Sequence, residues 1–165
     1  MLCPINGYLL IVSDIGRMIK INLIDSEIPL MGKLAQGSIA LKLFPGESIV
    51  GGITVTEHEK EDIVIISREG TVVKHSLKNM RLCSKGDLGF IAMNLKKSKN
   101  NQDKVIQIFK SNQLVGITTN LGKNGRVSSS QLGSLKEKEE HKKAFNLREN
   151  EFLEKVTPLI EKDKY

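Results

Sequence analysis

Tryptophan is absent from this chain, and only five Phe and two Tyr supply aromatic bulk, so any core it builds is aliphatic. Cysteine is scarce too, and Cys3 and Cys83 have neither CxxC spacing nor a histidine cluster beside them. That argues against a thiolate metal site and reads as two reduced thiols of a cytoplasmic protein. Nowhere do about 18 apolar residues follow one another, which excludes a membrane-spanning helix. Residues 1–6 lack the basic start and apolar centre of a signal peptide. They lead almost at once into the first patterned segment, as expected of a fragment of something larger.

Nothing in the chain reads as a catalytic centre. His58, His75 and His141 lie far apart with no Ser, Cys or Asp at a suggestive spacing, so each reads as a solvated or structural histidine. Glycine is plentiful, but no GxGxxG or P-loop sequence leads into a helix, and its place here is in turns between strands. No catalytic residue, cofactor site or metal site is therefore expected.

What is present is positive charge and repetition. The formal net charge is +6, and residues 1–132 hold 17 Lys and Arg against 11 Asp and Glu, whereas residues 133–165 hold 8 of each. A basic surface attracts polyanions through counterion release, although it also serves plain solubility.

Residues 63–77 run through β-branched residues to Ser67, turn at Gly70 and continue through Lys74 to Leu77, which describes a β-hairpin. Upstream, Ser13, Gly16, Lys20 and Leu23 match Ser67, Gly70, Lys74 and Leu77 at a constant offset of 54 residues. Residues 37–43 match 89–95 at an offset of 52, and a weaker third copy places Thr119, Gly122 and Arg126 52 residues after Ser67, Gly70 and Lys74. Repeats of about 50 residues point to propeller-like blades or arrays.

The first repeat reads as strand, Gly16 turn, strand, a loop with Pro29 and Gly32, a strand at 39–43, a Pro45-Gly46 turn and a strand over 48–56. Gly51 and Gly52 mark a bulge or a close backbone approach in that last strand. The second repeat keeps this order, with a polar surface segment at 96–102 in place of the Pro-Gly turn and a closing strand at 105–109. The expected organisation is two to three blades over 1–132 (6–60, 61–111 and a partial 112–132), then a charged helical or disordered tail over 133–165. Pro158 would interrupt any long helix in that tail.

A cation recurs four residues after each turn glycine: Lys20, Lys74 and Arg126. A second basic position lies in the loop before the third strand, with Lys33 in one repeat and Arg81 and Lys85 in the next. Stacked repeats would turn these into a spaced row suited to a phosphate backbone. Strand-end lysines that protect edges from aggregation fit the spacing equally well.

The unit of apolar run, Ser or Thr, two residues, Gly and a cation, followed by Gly32-Lys33-Leu34-Ala35-Gln36-Gly37-Ser38-Ile39-Ala40-Leu41-Lys42-Leu43, resembles the blades of a known family. These are the C-terminal domains of type IIA DNA topoisomerase A subunits, in DNA gyrase and topoisomerase IV, and the resemblance covers residues 6–132. It implies an all-β fold, an incomplete set of β-pinwheel blades, with DNA bound and bent along a basic rim that includes Lys20, Lys33, Lys42, Lys74, Arg81, Lys85 and Arg126. Duplex DNA is the implied partner, with a topoisomerase catalytic A subunit and a B subunit as further partners. No cofactor, no membrane and a cytoplasmic, nucleoid-associated location are implied as well, with a part in DNA topology control but no cleavage by this chain. The departures are that only about two and a half blades are present and that the gyrase box Gln-Arg-Arg-Gly-Gly-Lys-Gly is absent. Tyr8 and Tyr165 also lack the arginine that precedes the family's nucleophile. A topoisomerase-IV-like or degenerate role is therefore favoured over chiral wrapping, with a propeller-like protein-binding module as the alternative.

Overall fold

The computed structural model of the chain describes residues 6–24, 26–95, 103–128, 131–132, 135–139 and 145–159. Cys3, His141 and the polar segment 96–102 lie outside the described residues. The most local structures are three antiparallel hairpins. They are β1 (Gly7–Ser13) with β2 (Arg17–Asn22), β4 (Ile63–Ser67) with β5 (Val72–His75), and β8 (Leu114–Thr119) with β9 (Asn124–Val127).

One device closes all three turns. Gly16, Gly70 and Gly122 adopt φ of +85°, +81° and +76°, a region in which a side chain is strained. Their N–H groups donate to the carbonyls of Ser13, Ser67 and Thr119 at 3.1, 3.0 and 2.9 Å. The hydroxyls of the same Ser and Thr accept the N–H four residues on, from Arg17 at 3.3 Å, Thr71 at 3.1 Å and Lys123 at 3.3 Å. The repeated Ser/Thr-x-x-Gly is thus a turn in which side chain and backbone both hold the chain reversal.

A third strand returns antiparallel beside the first strand of each hairpin: β3 (Ile49–Thr56) on β1, β7 (Val105–Lys110) on β4, and β10 (Leu153–Leu159) on β8. Each pairing slips register at the Ser or Thr end of the central strand, a bulge that adds twist. In the first blade the slip falls between Gly51 and Ile49, and a Cβ on Gly52 would stand 2.9 Å from the carbonyl oxygen of Leu10. The glycine pair therefore marks both a bulge and a close approach. The sheet orders are β3-β1-β2-β6, β5-β4-β7 and β10-β8-β9, where β6 (Phe90–Ile91) comes from the second repeat and closes the first blade.

Two expectations are corrected. The tail is not simply helical or disordered, because β10 completes the third blade. Leu153 and Val156 are buried there, and Pro158, which has no N–H to donate, is tolerated on the outer strand of its sheet. The strand expected at 39–43 is also missing: only Leu41 forms an isolated bridge, to Asp87. Its counterpart β6 becomes a strand by pairing with β2 of the preceding repeat, and residues 39–43 have no preceding repeat to pair with among the described residues.

The core lies between blades. Ile63 and Ile65 face Leu10, Val12 and Met18 of the first blade, while Val64 and Ile66 face Val115, Leu153 and Val156 of the third. Alternate residues of a strand point to opposite faces, so the uninterrupted apolar run of β4 is that of a strand covered on both sides. Burying each such side chain is worth about 1.5–3 kcal/mol. Among the described residues no helix is long and apolar enough to cross a membrane.

Candidate nucleic-acid interface

The two lysines expected at the rim are inside. β2 lies between β1 and β6, and on its outer face Ile19 and Ile21 pack on Leu41 of the same repeat and Cys83 of the second. Lys20 on the other face is 7% exposed. Its ammonium donates to the Leu77 carbonyl oxygen at 2.9 Å and stands 4.1 Å from the centre of the Tyr8 ring. Burial lowers its pKa below the ordinary 10.5.

Lys74 is 8% exposed and pairs with Asp62 at 3.3 Å, while its carbonyl accepts the Lys138 N–H at 2.7 Å. The expectation that Lys20 and Lys74 are exposed is therefore corrected: a strand cation becomes internal when the neighbouring repeat wraps over the strand. Of the three recurring cations only Arg126, on β9, is exposed. His75 is internal as well, donating Nε2–H to the Ala92 carbonyl at 2.7 Å, and burial lowers its pKa first of all.

The loop cations are outside. Lys33, Lys42, Arg81 and Lys85 are all exposed, and the interlocking of the repeats brings three of them alongside one another. The Lys42 N–H donates to the Asp87 carbonyl at 3.1 Å and the Gly86 N–H to the Ala40 carbonyl at 2.8 Å, joining residues 40–42 to 86–87. Arg81 folds onto the same loop, with Nη2 at 3.1 Å from the Gly89 carbonyl and 3.6 Å from the Asp87 carboxylate. The Lys85 N–H is held by Glu27 at 3.0 Å. Lys42, Arg81 and Lys85 thus share one basic patch on a backbone fixed at several points. Lys33 sits apart in the 29–37 loop, and Arg126 is on the third blade.

Three acids escaped the sequence reading. Glu47, Asp103 and Glu151 each stand two residues before a third strand, are buried, and lie close to the turn residue of their blade, Ser13, Ser67 or Thr119. The position after the turn glycine supplies the counter-charge in two blades. Arg17 Nε donates to Glu47 at 2.9 Å with Nη2 on the other oxygen, and Lys123 reaches Glu151 at 2.8 Å.

Burial raises the Glu47 carboxyl, but hydrogen bonds from Arg17 and the Phe44 N–H outweigh it and hold the pKa below the ordinary value. Glu151 falls to about 2, first through Lys123 and then through the Arg148 N–H. In the second blade Thr71 occupies the cation's place. There burial raises the Asp103 pKa despite hydrogen bonds from Ser67 and the Glu69 N–H. An acid recurring just ahead of each closing strand was the available signal. Among the described residues no group of three or more His, Cys, Asp and Glu is placed to hold a metal ion.

Interlocked antiparallel blades, each built on a glycine hairpin and the first closed by a segment of the next, define a propeller-type blade array. Residues 7–56 match the family model described as the DNA gyrase C-terminal domain, beta-propeller. The C-terminal domain of DNA topoisomerase IV superposes with a TM-score of 0.67 at 20% identity, over 79% of this chain and 39% of that one. The E. coli ParC C-terminal domain gives 0.65 at 13% identity, over 95% and 62%. The DNA gyrase A C-terminal domain gives 0.55 at 13%, over 96% and 68%. This chain therefore spans about two fifths of the length of the topoisomerase IV domain it matches. No curated protein matches the chain significantly by sequence. The first repeat carries the sequence pattern of the gyrase C-terminal family, and the chain has the blade fold of the gyrase and topoisomerase IV domains.

Proposed function

We propose that the chain binds and bends duplex DNA as a non-catalytic part of a type IIA topoisomerase system, acting beside a catalytic A subunit and a B subunit in the cytoplasm. The observation that carries this reading is the exposed patch of Lys42, Arg81 and Lys85 on loops fixed by inter-repeat hydrogen bonds. Lys33 and Arg126 are exposed cations apart from the patch that add to the positive charge of the blades. Cations held at set spacings on a rigid blade suit phosphates, which position a duplex without reading its sequence. Behind the surface Lys20 joins successive repeats, and Lys74 is held by Asp62 of its own repeat.

The test is the replacement of Lys42, Arg81 and Lys85 together by Gln, with binding to random duplex measured from low to physiological salt. Affinity should fall about uniformly across sequences, and the salt slope should flatten by roughly one unit for each phosphate that the patch no longer neutralises. Replacing the exposed Lys136, Lys138 and Lys155 removes the same charge elsewhere and should do much less. Equal losses from the two triplets, or no binding at low salt, would overturn the assignment of the patch.

A further inference from the structure

The patch of Lys42, Arg81 and Lys85 is not wholly polar. Leu82 and Leu88 stand on the same loop with 52% and 46% of their surface in solvent. They stay exposed although segments of both the first and the second repeat already hold that loop.

The backbone beside each leucine is pinned. Cys83, next to Leu82, is buried and donates its N–H to the Lys20 carbonyl at 2.8 Å. Leu88 donates its own N–H to the Asp87 carboxylate at 2.6 Å, and its carbonyl accepts Arg17 Nη1 at 2.6 Å. Because Arg81 bonds across to the Gly89 carbonyl, the loop from 81 to 89 is closed, and Leu82 and Leu88 are the residues just inside its two ends. The neighbouring acids are engaged: Asp87 faces Arg81, and Glu27 accepts from the Ser84 hydroxyl at 3.1 Å as well as from the Lys85 N–H.

The arrangement also recurs. Leu30 precedes Lys33 by three residues as Leu82 precedes Lys85, both pairs being 52 residues apart, and Leu30 is exposed too. One exposed leucine is ordinary on a protein surface. The same residue at the same place in two repeats, each time just ahead of an exposed lysine, is a pattern.

We propose that Leu82 and Leu88 form a wedge that enters the minor groove and parts two stacked base pairs while Lys42, Arg81 and Lys85 hold the phosphates around that step. The proposal rests on the reading of the patch as a duplex-binding surface and adds to it the way the duplex is bent. Cations beside an apolar projection match a duplex, whose charged backbones border apolar base faces, and leucine is among the side chains that unstack base steps and kink DNA in this manner. A pinned loop has little freedom left to lose on insertion. The cost therefore falls on the DNA, and it is lowest at a flexible pyrimidine–purine step or at a mismatch.

The test compares two duplexes of otherwise equal sequence, one fully paired and one with a single central mismatch, each carrying a fluorescent dye at either end. The wild type should bind the mismatched duplex about fivefold or more tightly than the paired one, because the unstacking is already made, and should draw the dyes together. With Leu82 and Leu88 both replaced by Ala, the preference and the dye approach should vanish while the salt slope stays that of the wild type, since no cation is lost. Both side chains are exposed, so the fold should survive, which circular dichroism checks; Leu82→Met with Leu88→Met should restore the preference. A wild type that binds both duplexes alike without bending them, or a double Ala variant that behaves as the wild type does, would overturn the wedge and leave the duplex-binding reading standing. So would binding to vesicles of anionic lipid that the Ala pair abolishes while duplex binding is untouched. Failure to bind either duplex at low salt would overturn both readings together.

Discussion

The ammonium of Lys20 donates to the carbonyl oxygen of Leu77 at 2.9 Å, and by that bond the second strand of one repeat is fastened to the 3₁₀ turn of the next. A cation buried and engaged in this way cannot also serve a phosphate.

Lys20→Met should accordingly leave both DNA affinity and its salt slope unchanged, in contrast to the loop triplet. Its effect should appear in stability against pH. Burial lowers the folded-state pKa of Lys20 below 10.5, so the unfolded chain holds the proton more tightly. Stability from this group therefore rises as pH climbs through the folded pKa toward 10.5, and Lys20→Met removes that rise. Urea unfolding at a series of alkaline pH values measures it. A variant whose salt slope flattens by a unit instead would show that the ammonium reaches solvent.

Gly16 and Gly122 share a left-handed conformation but not a neighbourhood, because a Cβ on the first would meet the Met93 carbonyl and one on the second would meet nothing within 4 Å among the described residues. Gly122→Ala should cost about 1–2 kcal/mol, the strain of a side chain in that region. Gly16→Ala should cost clearly more, since a backbone carbonyl must also move. Urea midpoints at dilute concentration compare the two, and equal losses would show that the Met93 carbonyl does not confine the first turn.

These contrasts explain what was legible in the sequence. The hairpins were, because Ser13, Ser67 and Thr119 act within four residues of themselves and leave a local pattern. The doubly covered β4 also announced itself, by its continuous apolar run. β10 was hidden: its partner β8 lies more than thirty residues upstream, the slip between Leu153 and Lys155 breaks its alternation, and Pro158 argued against it. The burial of Lys20 and Lys74 was hidden for another reason. It depends on which repeat covers which strand, and the cation at the equivalent offset, Arg126, is exposed where no such cover stands among the described residues.

Glu151 should make the third blade sensitive to acid. Its pKa is held at about 2 against an ordinary 4.5, by Lys123 first and the Arg148 N–H second. A carboxyl depressed in the folded state contributes stability that is complete above the unfolded value and is lost as pH falls from 4.5 toward 2. Unfolding free energy should therefore drop more steeply over that interval in the wild type than in Glu151→Gln. Parallel curves for the two proteins would mean that the carboxylate gains nothing from Lys123 in the fold.

The second blade offers the converse experiment, because Thr71 stands where Arg17 and Lys123 stand in the other two and Asp103 is left 8% exposed without their counter-charge. Burial raises the Asp103 pKa above 3.8, so the folded chain holds that proton more tightly than the unfolded one. Stability from this group is complete below 3.8 and is lost as pH rises through the folded midpoint. Thr71→Lys should pair with Asp103, bring its midpoint down and reverse the sign of that pH dependence. Because Thr71 is only half-buried, the gain at neutral pH should be modest, up to about 1 kcal/mol. Carbon-detected NMR titration of the Asp103 carboxyl reads the midpoint, and urea unfolding between pH 3 and 7 reads the slope. Thr71→Gln, of similar reach without charge, should shift neither. An unmoved midpoint in Thr71→Lys, or an equal shift in Thr71→Gln, would show that the cation after the turn glycine is not what sets the charge state of the acid before the closing strand.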